Sequence, residues 1–218
     1  RKRFFIGLKV SNKEINIKTH VVHQSSSSVK INFKKKKNII SFVGKLNSAK
    51  GYDLFGEAII RILEKHKKWK AVVFGDEHRE KLKFTHQNMK IFGFRKHTDI
   101  VKYLEKVSIS IICSRWEEPF GRTSLEAASR GCAIIMSNRG GLPETTNHAI
   151  KLDNLDSNEI FKKVEFLINN KAKRLTLQKK IYKDFKYTHE FIANKIDNIR
   201  KVFKENILRF IPLKKITP

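Results

Sequence analysis

The sequence is poor in cysteine and in long apolar runs, and each scarcity excludes a class of protein. Two cysteines, Cys113 and Cys132, occur among 218 residues, too few for a disulfide framework and without the spacing of a metal site. Both stand in short apolar runs, so we expect buried free thiols on strands. No apolar run approaches the roughly 18–20 residues that cross a bilayer. The apolar part of the opening RKRFFIGLKV is too short for a signal peptide, so we expect a cytoplasmic protein.

Acidic residues are also scarce. The chain has 21 Asp and Glu against 47 Lys and Arg, a net charge of +26. Such an excess favours contact with phosphates, in nucleic acid, in nucleotides or in anionic lipid. The lysines are scattered, however, and a lysine-rich compositional background explains them equally well. Charge alone therefore identifies no partner.

The N-terminal part of the chain differs in pattern from the rest. FFIGLKV (4–10) resembles the end of a helix and THVVHQS (19–25) a strand, and runs of serine (25–28) and lysine (34–37) follow. Such runs are typical of linkers. We therefore predict three parts: 1–36 as a segment ending in a linker, 37–190 as the main domain, and 191–218 as a C-terminal helix and tail.

From residue 38 onward, strand-like and helix-like patterns alternate. The predicted strands are 38–44, 69–75, 89–94, 108–114, 132–137 and 149–153; the predicted helices are 50–68, 98–107 with Thr98 or Asp99 as its cap, 123–131, and two or three basic amphipathic helices from 157 to about 207. This alternation predicts an α/β fold, a Rossmann-like doubly wound parallel sheet with C-terminal helices. Ligands bind such sheets at the carboxyl ends of the strands, so the loops after strands are the candidate sites.

Two of these loops carry anion-binding features. GKLNSAKG, from Gly44 to Gly51, places Lys45 and Lys50 between two glycines, which suits a phosphate; a plain turn with solvated lysines is the alternative. SNRGGLPE follows the fifth strand, and Gly140 and Gly141 in it are predicted to offer backbone N–H groups to an anion, or simply to form a tight turn.

EPFGRTSLE places two acids, Glu118 and Glu126, on either side of a predicted helix start. The backbone amides at the start of that helix, from Arg122 to Leu125, are predicted to be free to bind an anion. The two acids would then accept hydrogen bonds from hydroxyls on two sides of one ligand. The alternative is that Glu126 stabilises the first turn through the helix dipole while Glu118 is a solvated loop acid.

The segment IFGFRK (91–96) ends the third predicted strand, and its aromatic residue Phe94 has two interpretations. Phe94 is predicted either to stack on a nucleotide base or to be an ordinary core residue, and Arg95 follows it.

Taken in order, VGKLNSAKGYDLF, GFRKHTDIVKYLEKV and EPFGRTSLEAASRGCAIIMSNRGGLPE resemble the group 1 (family 4) retaining glycosyltransferases over roughly residues 36–205. The resemblance implies the C-terminal, nucleotide-sugar-binding half of a GT-B enzyme, with 1–36 as a remnant of the N-terminal domain and most of that acceptor-binding domain absent. The family commonly has Arg where Lys45 stands, and Lys keeps the charge but loses the bidentate fork.

The resemblance also assigns roles to residues. Glu126 would hold the ribose hydroxyls and Glu118 the donor sugar, while the lysines and helix amides hold the diphosphate. The implied catalytic residues are Glu118, Lys45 and Lys50; the implied donor-binding residues are Gly44, Phe94, Arg95, Phe120, Gly121, Arg122, Thr123, Ser124, Leu125, Glu126, Gly140 and Gly141.

The reaction implied is retaining transfer of a sugar to an acceptor in cell-envelope polysaccharide, lipopolysaccharide or glycolipid synthesis. We expect no cofactor and no metal, because no Asp-x-Asp pair is present, and we expect this chain alone to transfer little or nothing. The basic helices over 162–186 would suit the inner face of an anionic membrane, or be merely solvated. The competing interpretation is a nucleic-acid-binding module, but no zinc spacing, RNP motif or helix-turn-helix signature supports it.

Overall fold

The structure is a computed structural model that describes residues 20–210, with side chains described for 20–203. The helix end predicted at 4–10 lies outside the described residues. His23–Ala193 form one compact unit, and the described residues on either side of it belong to a second. The domain boundaries predicted near residues 36 and 190 stay predictions.

One parallel sheet forms the centre of the compact unit. Its strands within the described residues are β1 (Ile39–Val43), β2 (Lys70–Phe74), β3 (Met89–Ile91), β4 (Ile109–Ile112), β5 (Ala133–Ser137) and β6 (Ile150–Leu152). They lie in the order β3-β2-β1-β4-β5-β6. This is a doubly wound Rossmann-like order, so the predicted fold class is confirmed. The chain moves outward from β1 in one direction and from β4 in the other, which makes the crevice between β1 and β4 the topological switch point.

The helices connect the strands as the sequence periodicity predicts. Their bounds are α1 (Tyr52–Lys65), α2 (His97–Leu104), α3 (Arg122–Ser129), α4 (Ser157–Asn169), α5 (Lys171–Lys183) and α6 (His189–Phe210), with short 3-10 turns at Phe33–Lys35, Ser48–Lys50 and Leu142–Glu144. The predicted cap of α2 is wrong. Lys96 occupies the N-cap position without a side-chain cap bond, and Thr98 and Asp99 lie inside the helix.

The core has a layer on each face of the sheet. On one face, Phe42 of β1 packs with Tyr52 and Ile59 of α1, in a cluster that extends to α4. On the other face, residues of α2, α3 and α5 cover Phe74 and Ile134. Because both faces are covered, β1, β4 and β5 are almost wholly buried, as apolar parallel strands require. The sheet is therefore a rigid base for the loops at its edges.

The segment before β1 packs against this domain. The strand predicted at 19–25 is wrong for its described residues: 20–25 form no strand, and an isolated bridge between Ser26 and Thr188 follows them. Arg130, which is buried, donates to the backbone oxygen of Ser27 at 2.6 Å. Lys36 donates to the backbone oxygens at the end of α2 and after α3. Serine and lysine runs are typical of linkers, but here specific hydrogen bonds hold them in place.

In the described part of the chain, no helix combines the length and the apolarity that crossing a membrane requires.

Candidate functional site

A cavity of about 200 Å³ opens at the carboxyl ends of β1 and β4, at the switch point of the sheet. Gly44 lines it from the loop after β1, and Ser114 and Glu118 line it from the loop after β4. Arg122 and Thr123, at the start of α3, close another side. The loops that the sequence singled out after the first and fourth strands therefore meet in one place.

Lys50 and Glu118 form an ion pair inside this cavity. The Lys50 ammonium donates to Glu118 Oε1, and the hydroxyl of Ser114 donates to the same oxygen at 3.1 Å. The Glu118 side chain is 17% exposed and that of Lys50 is 31% exposed. Glu118 is therefore not the solvated loop acid of the alternative interpretation; it is held in position beside a cation.

The start of α3 presents free backbone amides to the cavity. Its N-cap, Gly121, has φ +106°, a conformation that favours glycine. The first bond of the helix runs from the Leu125 amide to the Gly121 oxygen at 3.0 Å, so the amides of the three residues before Leu125 stand outside the helical ladder. The prediction of a free amide at Leu125 is wrong, because this bond occupies it.

The side chains at the start of α3 point in different directions. Thr123 and Arg122 line the cavity. Ser124 is fully buried, and its hydroxyl lies 2.7 Å from that of Thr145. Leu125 is fully buried as well. Ser124 can therefore offer a ligand only its backbone N–H.

Glu126 is held by two cationic or potentially cationic side chains. Its Oε1 accepts from Arg122 Nε at 2.8 Å and from His97 Nε2 at 2.6 Å, and its side chain is 7% exposed. The sequence placed Glu126 in the first turn of the helix, but α3 begins at Arg122 and has no acid in its first turn. The helix dipole falls off within that turn, so it does not account for this residue.

The backbone amides of the two glycines after β5, predicted to bind an anion, form hydrogen bonds within the protein instead. The Gly140 amide donates to the Glu117 carboxylate, and the Gly141 amide donates to the Glu118 backbone oxygen at 2.6 Å. The prediction that these amides are offered to an anion is therefore wrong in this structure. A Cβ on Gly141 would lie 2.4 Å from the backbone oxygen of Pro119, so glycine allows the loop to pack closely and fix Glu118.

The loop after β1 is braced by the loop after the neighbouring strand β2. Glu80 accepts from the Ser48 amide at 2.8 Å, and Glu77 accepts from the Asn47 side chain at 2.9 Å. Hydrogen bonds from Arg79 and Asn47 lower the pKa of Glu77 to about 2. This bracing orients Lys50 toward the cavity, while Lys45 is exposed and does not line it.

Glu126 does not line the cavity itself, although its partner Arg122 does, and Phe94, Arg95 and Phe120 also lie outside the lining. Phe94 is 75% exposed, so the alternative that it belongs to the core is wrong, and Arg95 beside it is exposed too. Phe120 is 7% exposed, and its ring packs on His23 and Tyr187. The ring of Phe120 is therefore committed to this packing and is not offered to a ligand.

His97 and Ser114 are the polar contacts that sequence reasoning missed. Each hydrogen-bonds to one of the two acids, but His97 lies 29 positions from Glu126 along the chain, and no spacing rule connects them. The Cys113 thiol lies beneath the site and donates to the Gly51 oxygen. Burial raises its pKa to about 12, so it stays protonated and is not a nucleophile.

The assembled site can bind two kinds of group at once. Free amides, Lys50 and Arg122 favour a phosphate, and two fixed carboxylates accept from hydroxyls. Among the described residues, no three His, Cys, Asp or Glu side chains are grouped in a way that could hold a metal ion. The fold and site together define a doubly wound domain with a polar ligand crevice at its switch point.

The family follows from comparison with known proteins. The model for "Glycosyl transferases group 1" matches residues 24–184, and the chain belongs to this family. The resemblance predicted from the motifs is confirmed at this level. A mannosyltransferase of lipopolysaccharide core biosynthesis from Rhizobium leguminosarum is 28% identical over 118 residues, which are 50% of this chain and 33% of that protein.

Comparison with solved structures identifies the fold. The C-terminal domain of a group 1 glycosyl transferase from Francisella tularensis is 25% identical, with a TM-score of 0.60 over 69% of this chain and 86% of that one. Anabaena HepE in complex with UDP has a TM-score of 0.67 at 17% identity, covering 77% of this chain and 49% of that one. The fold is that of the C-terminal domain of a GT-B glycosyltransferase. The chain spans less than half the length of the curated relatives it matches, from 27% to 49%.

Proposed function

We propose that this chain is the donor-binding domain of a retaining, metal-independent glycosyltransferase that takes its sugar from a nucleoside diphosphate. One observation carries the proposal. Glu118 lines the crevice at the switch point beside the free amides of α3, and Glu126 lies next to the crevice through its ion pair with the lining residue Arg122. A ligand with a diphosphate between two hydroxyl-bearing groups matches this order of charges.

The roles divide along the donor. Glu126 accepts hydrogen bonds from the ribose hydroxyls, and Arg122 and His97 hold its carboxylate in place for them. The amides from Arg122 to Ser124 and the Lys50 ammonium bind the diphosphate. Glu118 contacts the sugar near its reacting carbon, together with the backbone of Phe120 and Gly121. The exposed Phe94 ring stacks on the base, with Arg95 beside it, and Lys45 approaches the diphosphate from the edge of the crevice.

The chemical step follows from this arrangement. The bond between the anomeric carbon and the diphosphate oxygen breaks, and its electron pair leaves with the diphosphate. The acceptor oxygen bonds to the anomeric carbon on the same face, and its proton passes to the departing diphosphate oxygen. Lys50 and the helix amides stabilise the charge that develops on the leaving group, which is an electrostatic contribution to catalysis. These fixed positive groups support the metal-independent mechanism.

The acceptor and its setting are proposed from the relatives. A sugar or lipid-linked acceptor in envelope polysaccharide, lipopolysaccharide or glycolipid synthesis agrees with the role printed for the Rhizobium mannosyltransferase. We place the reaction in the cytoplasm, peripheral to the inner face of the membrane. Because the chain matches less than half of its curated relatives, we propose that a further domain supplies the acceptor site and that this chain alone transfers little or no sugar.

Calorimetric titration with UDP, GDP and ADP tests the proposal. One nucleotide should bind saturably, and Glu126→Gln should weaken it about 10- to 100-fold, since one or two charge-assisted hydrogen bonds are lost. Glu64→Gln is the matched control, because Glu64 is exposed on α1 and loses the same charge. Binding of no nucleotide, or equal loss in both variants, would refute the proposal. A single-stranded DNA that binds only at low salt would instead indicate non-specific charge.

A further inference from the structure

A second, larger cavity lies at the other end of the strands from the cavity beside Glu118, which we call the donor crevice. Asn38, directly before β1, and Ser108, directly before β4, line it, so it opens at the amino ends of the strands. Its walls are Phe33 and Lys34 of the first 3-10 turn and one side of α5 from Lys171 to Lys179. Its volume is about 490 Å³, within the range of small-molecule sites. We call it the basic cavity.

The charges in the basic cavity are all of one sign. Its lining contains the cations Lys34, Lys36, Lys171, Arg174 and Lys179, and no acid. Within the described part of the chain, none of these five has a carboxylate within ion-pair distance. The cations of the donor crevice, by contrast, are paired with Glu118 and Glu126. Glu105 attracts Lys36 from beyond ion-pair distance, but five cations against this one nearby acid leave the basic cavity with an excess of positive charge.

Two of these cations are held in place by backbone oxygens. Lys36 donates to three of them, those of Leu104, Val107 and Arg130, at 2.6–3.1 Å. Arg174 is 7% exposed, donates from Nη1 to the oxygens of Leu167 and Ile168, and stacks on the Trp69 ring. These contacts fix the positions of the charges without neutralising them.

The guanidinium of Arg174 also has N–H groups that form no hydrogen bond to the described protein residues. Its hydrogen bonds to protein in the described residues all leave from Nη1, so the N–H groups on Nε and Nη2 remain for a ligand. Burial lowers the pKa of Arg174 and of Lys36, which reflects the cost of an unneutralised cation away from water. A bound anion would offset that cost.

We propose that the basic cavity is a second anion site, which binds a phosphate group of a ligand independently of the donor crevice. A phosphate accepts several charge-assisted hydrogen bonds at once, which matches one guanidinium edge surrounded by lysines. The same group occurs in a soluble phosphate ester and in the headgroup of an anionic lipid. Its position at the amino ends of the strands leaves the donor crevice open while it is occupied.

The test compares two triple variants of the full chain that lose equal charge. Lys34→Gln, Lys171→Gln and Lys179→Gln remove three lysines of the lining. Lys35→Gln, Lys173→Gln and Lys180→Gln remove lysines one or two positions away in sequence, which are exposed and do not line the cavity. If only diffuse charge matters, the two triple variants should bind an anion equally weakly.

Two probes distinguish the source of the phosphate. Inorganic phosphate is titrated calorimetrically with UDP present in excess, and phosphatidylcholine vesicles with and without phosphatidylglycerol are used in a co-sedimentation assay. We expect the lining variant to lose about tenfold or more in affinity for at least one probe, and the control variant to stay within about twofold of the wild type. Loss with phosphate indicates a soluble ligand, and loss with the anionic vesicles alone indicates a lipid headgroup.

The proposal is overturned if both triple variants weaken binding equally, since the charge would then act diffusely, or if the wild type binds neither probe. These outcomes do not depend on the donor site, because a chain that failed to bind UDP would still separate the lining variant from its control.

Discussion

Replacing Glu118 by Gln should change the affinities for two related ligands in opposite directions. Lys50 is paired with Glu118 in the free chain, so a diphosphate must compete with the carboxylate for the ammonium. Glu118→Gln removes the competing charge while keeping the size of the side chain. The nucleoside diphosphate should therefore bind more tightly, whereas the donor that carries a sugar should bind more weakly.

The exposure of the pair sets the size of the first effect. With Lys50 at 31% and Glu118 at 17% exposure, solvent screens the attraction, and partly exposed pairs of this kind contribute about 0.5–1 kcal/mol. Releasing Lys50 should tighten the nucleoside diphosphate about 2- to 5-fold. The sugar-bearing donor gains the same amount but loses a charge-assisted hydrogen bond of about 1.5–3 kcal/mol. Its net loss is about 0.5–2.5 kcal/mol, or about 2- to 70-fold.

Calorimetry with the nucleoside diphosphate and its sugar conjugate measures both changes on one preparation. Glu64→Gln, which removes an exposed acid far from the pair, controls for the change in net charge. Weaker binding of the free diphosphate by Glu118→Gln, or equal shifts for both ligands, would refute the competition between Glu118 and phosphate.

Three further predictions concern the surroundings of the site. Gly51→Ala should lower the free energy of unfolding by at least about 2 kcal/mol in urea, because Gly51 has φ +73° and a Cβ would lie 2.0 Å from the Cys113 oxygen; a loss near zero would contradict the backbone geometry. Cys113 and Cys132 should react with a thiol reagent at pH 8 only after unfolding, since burial raises the pKa of both thiols; rapid reaction of the native chain would disprove their burial. Phe94→Ser should leave stability within about 0.5 kcal/mol but weaken nucleotide binding by about 1–3 kcal/mol in calorimetry if its ring stacks on the base; unchanged affinity would exclude the stacking.

The sequence was sufficient for the centre of the fold because β1, β4 and β5 are buried on both faces. Apolar runs such as NIISFVG and CAIIMS predict strands within two residues of β1 and β5, since strands between two layers of helices are mostly apolar. The strand predicted at 19–25 was wrong because its described residues are not covered in this way. The segment VVH is apolar enough for a strand, but Val21 and Val22 are 48% and 39% exposed. An apolar sequence does not show whether a partner strand lies beside it.

The candidate site was only partly predictable, because sequence patterns give local geometry and not contacts between distant segments. The free amides at the start of α3 followed from the helix start alone. The amides of Gly140 and Gly141 were assigned to a ligand, yet they bind the loop around Glu118, which lies over 20 residues away. His97 beside Glu126 was missed for the same reason. The motifs therefore identify which loops form the crevice, while the structure identifies which groups in them are free.

A crystal structure of this chain with the nucleoside diphosphate that it binds tests the central claim most directly. The account predicts ribose hydroxyls within about 3.2 Å of the Glu126 carboxylate, and diphosphate oxygens on Lys50 and on the amides from Arg122 to Ser124. A nucleotide bound outside the crevice between β1 and β4, or one whose ribose does not contact Glu126, would contradict it.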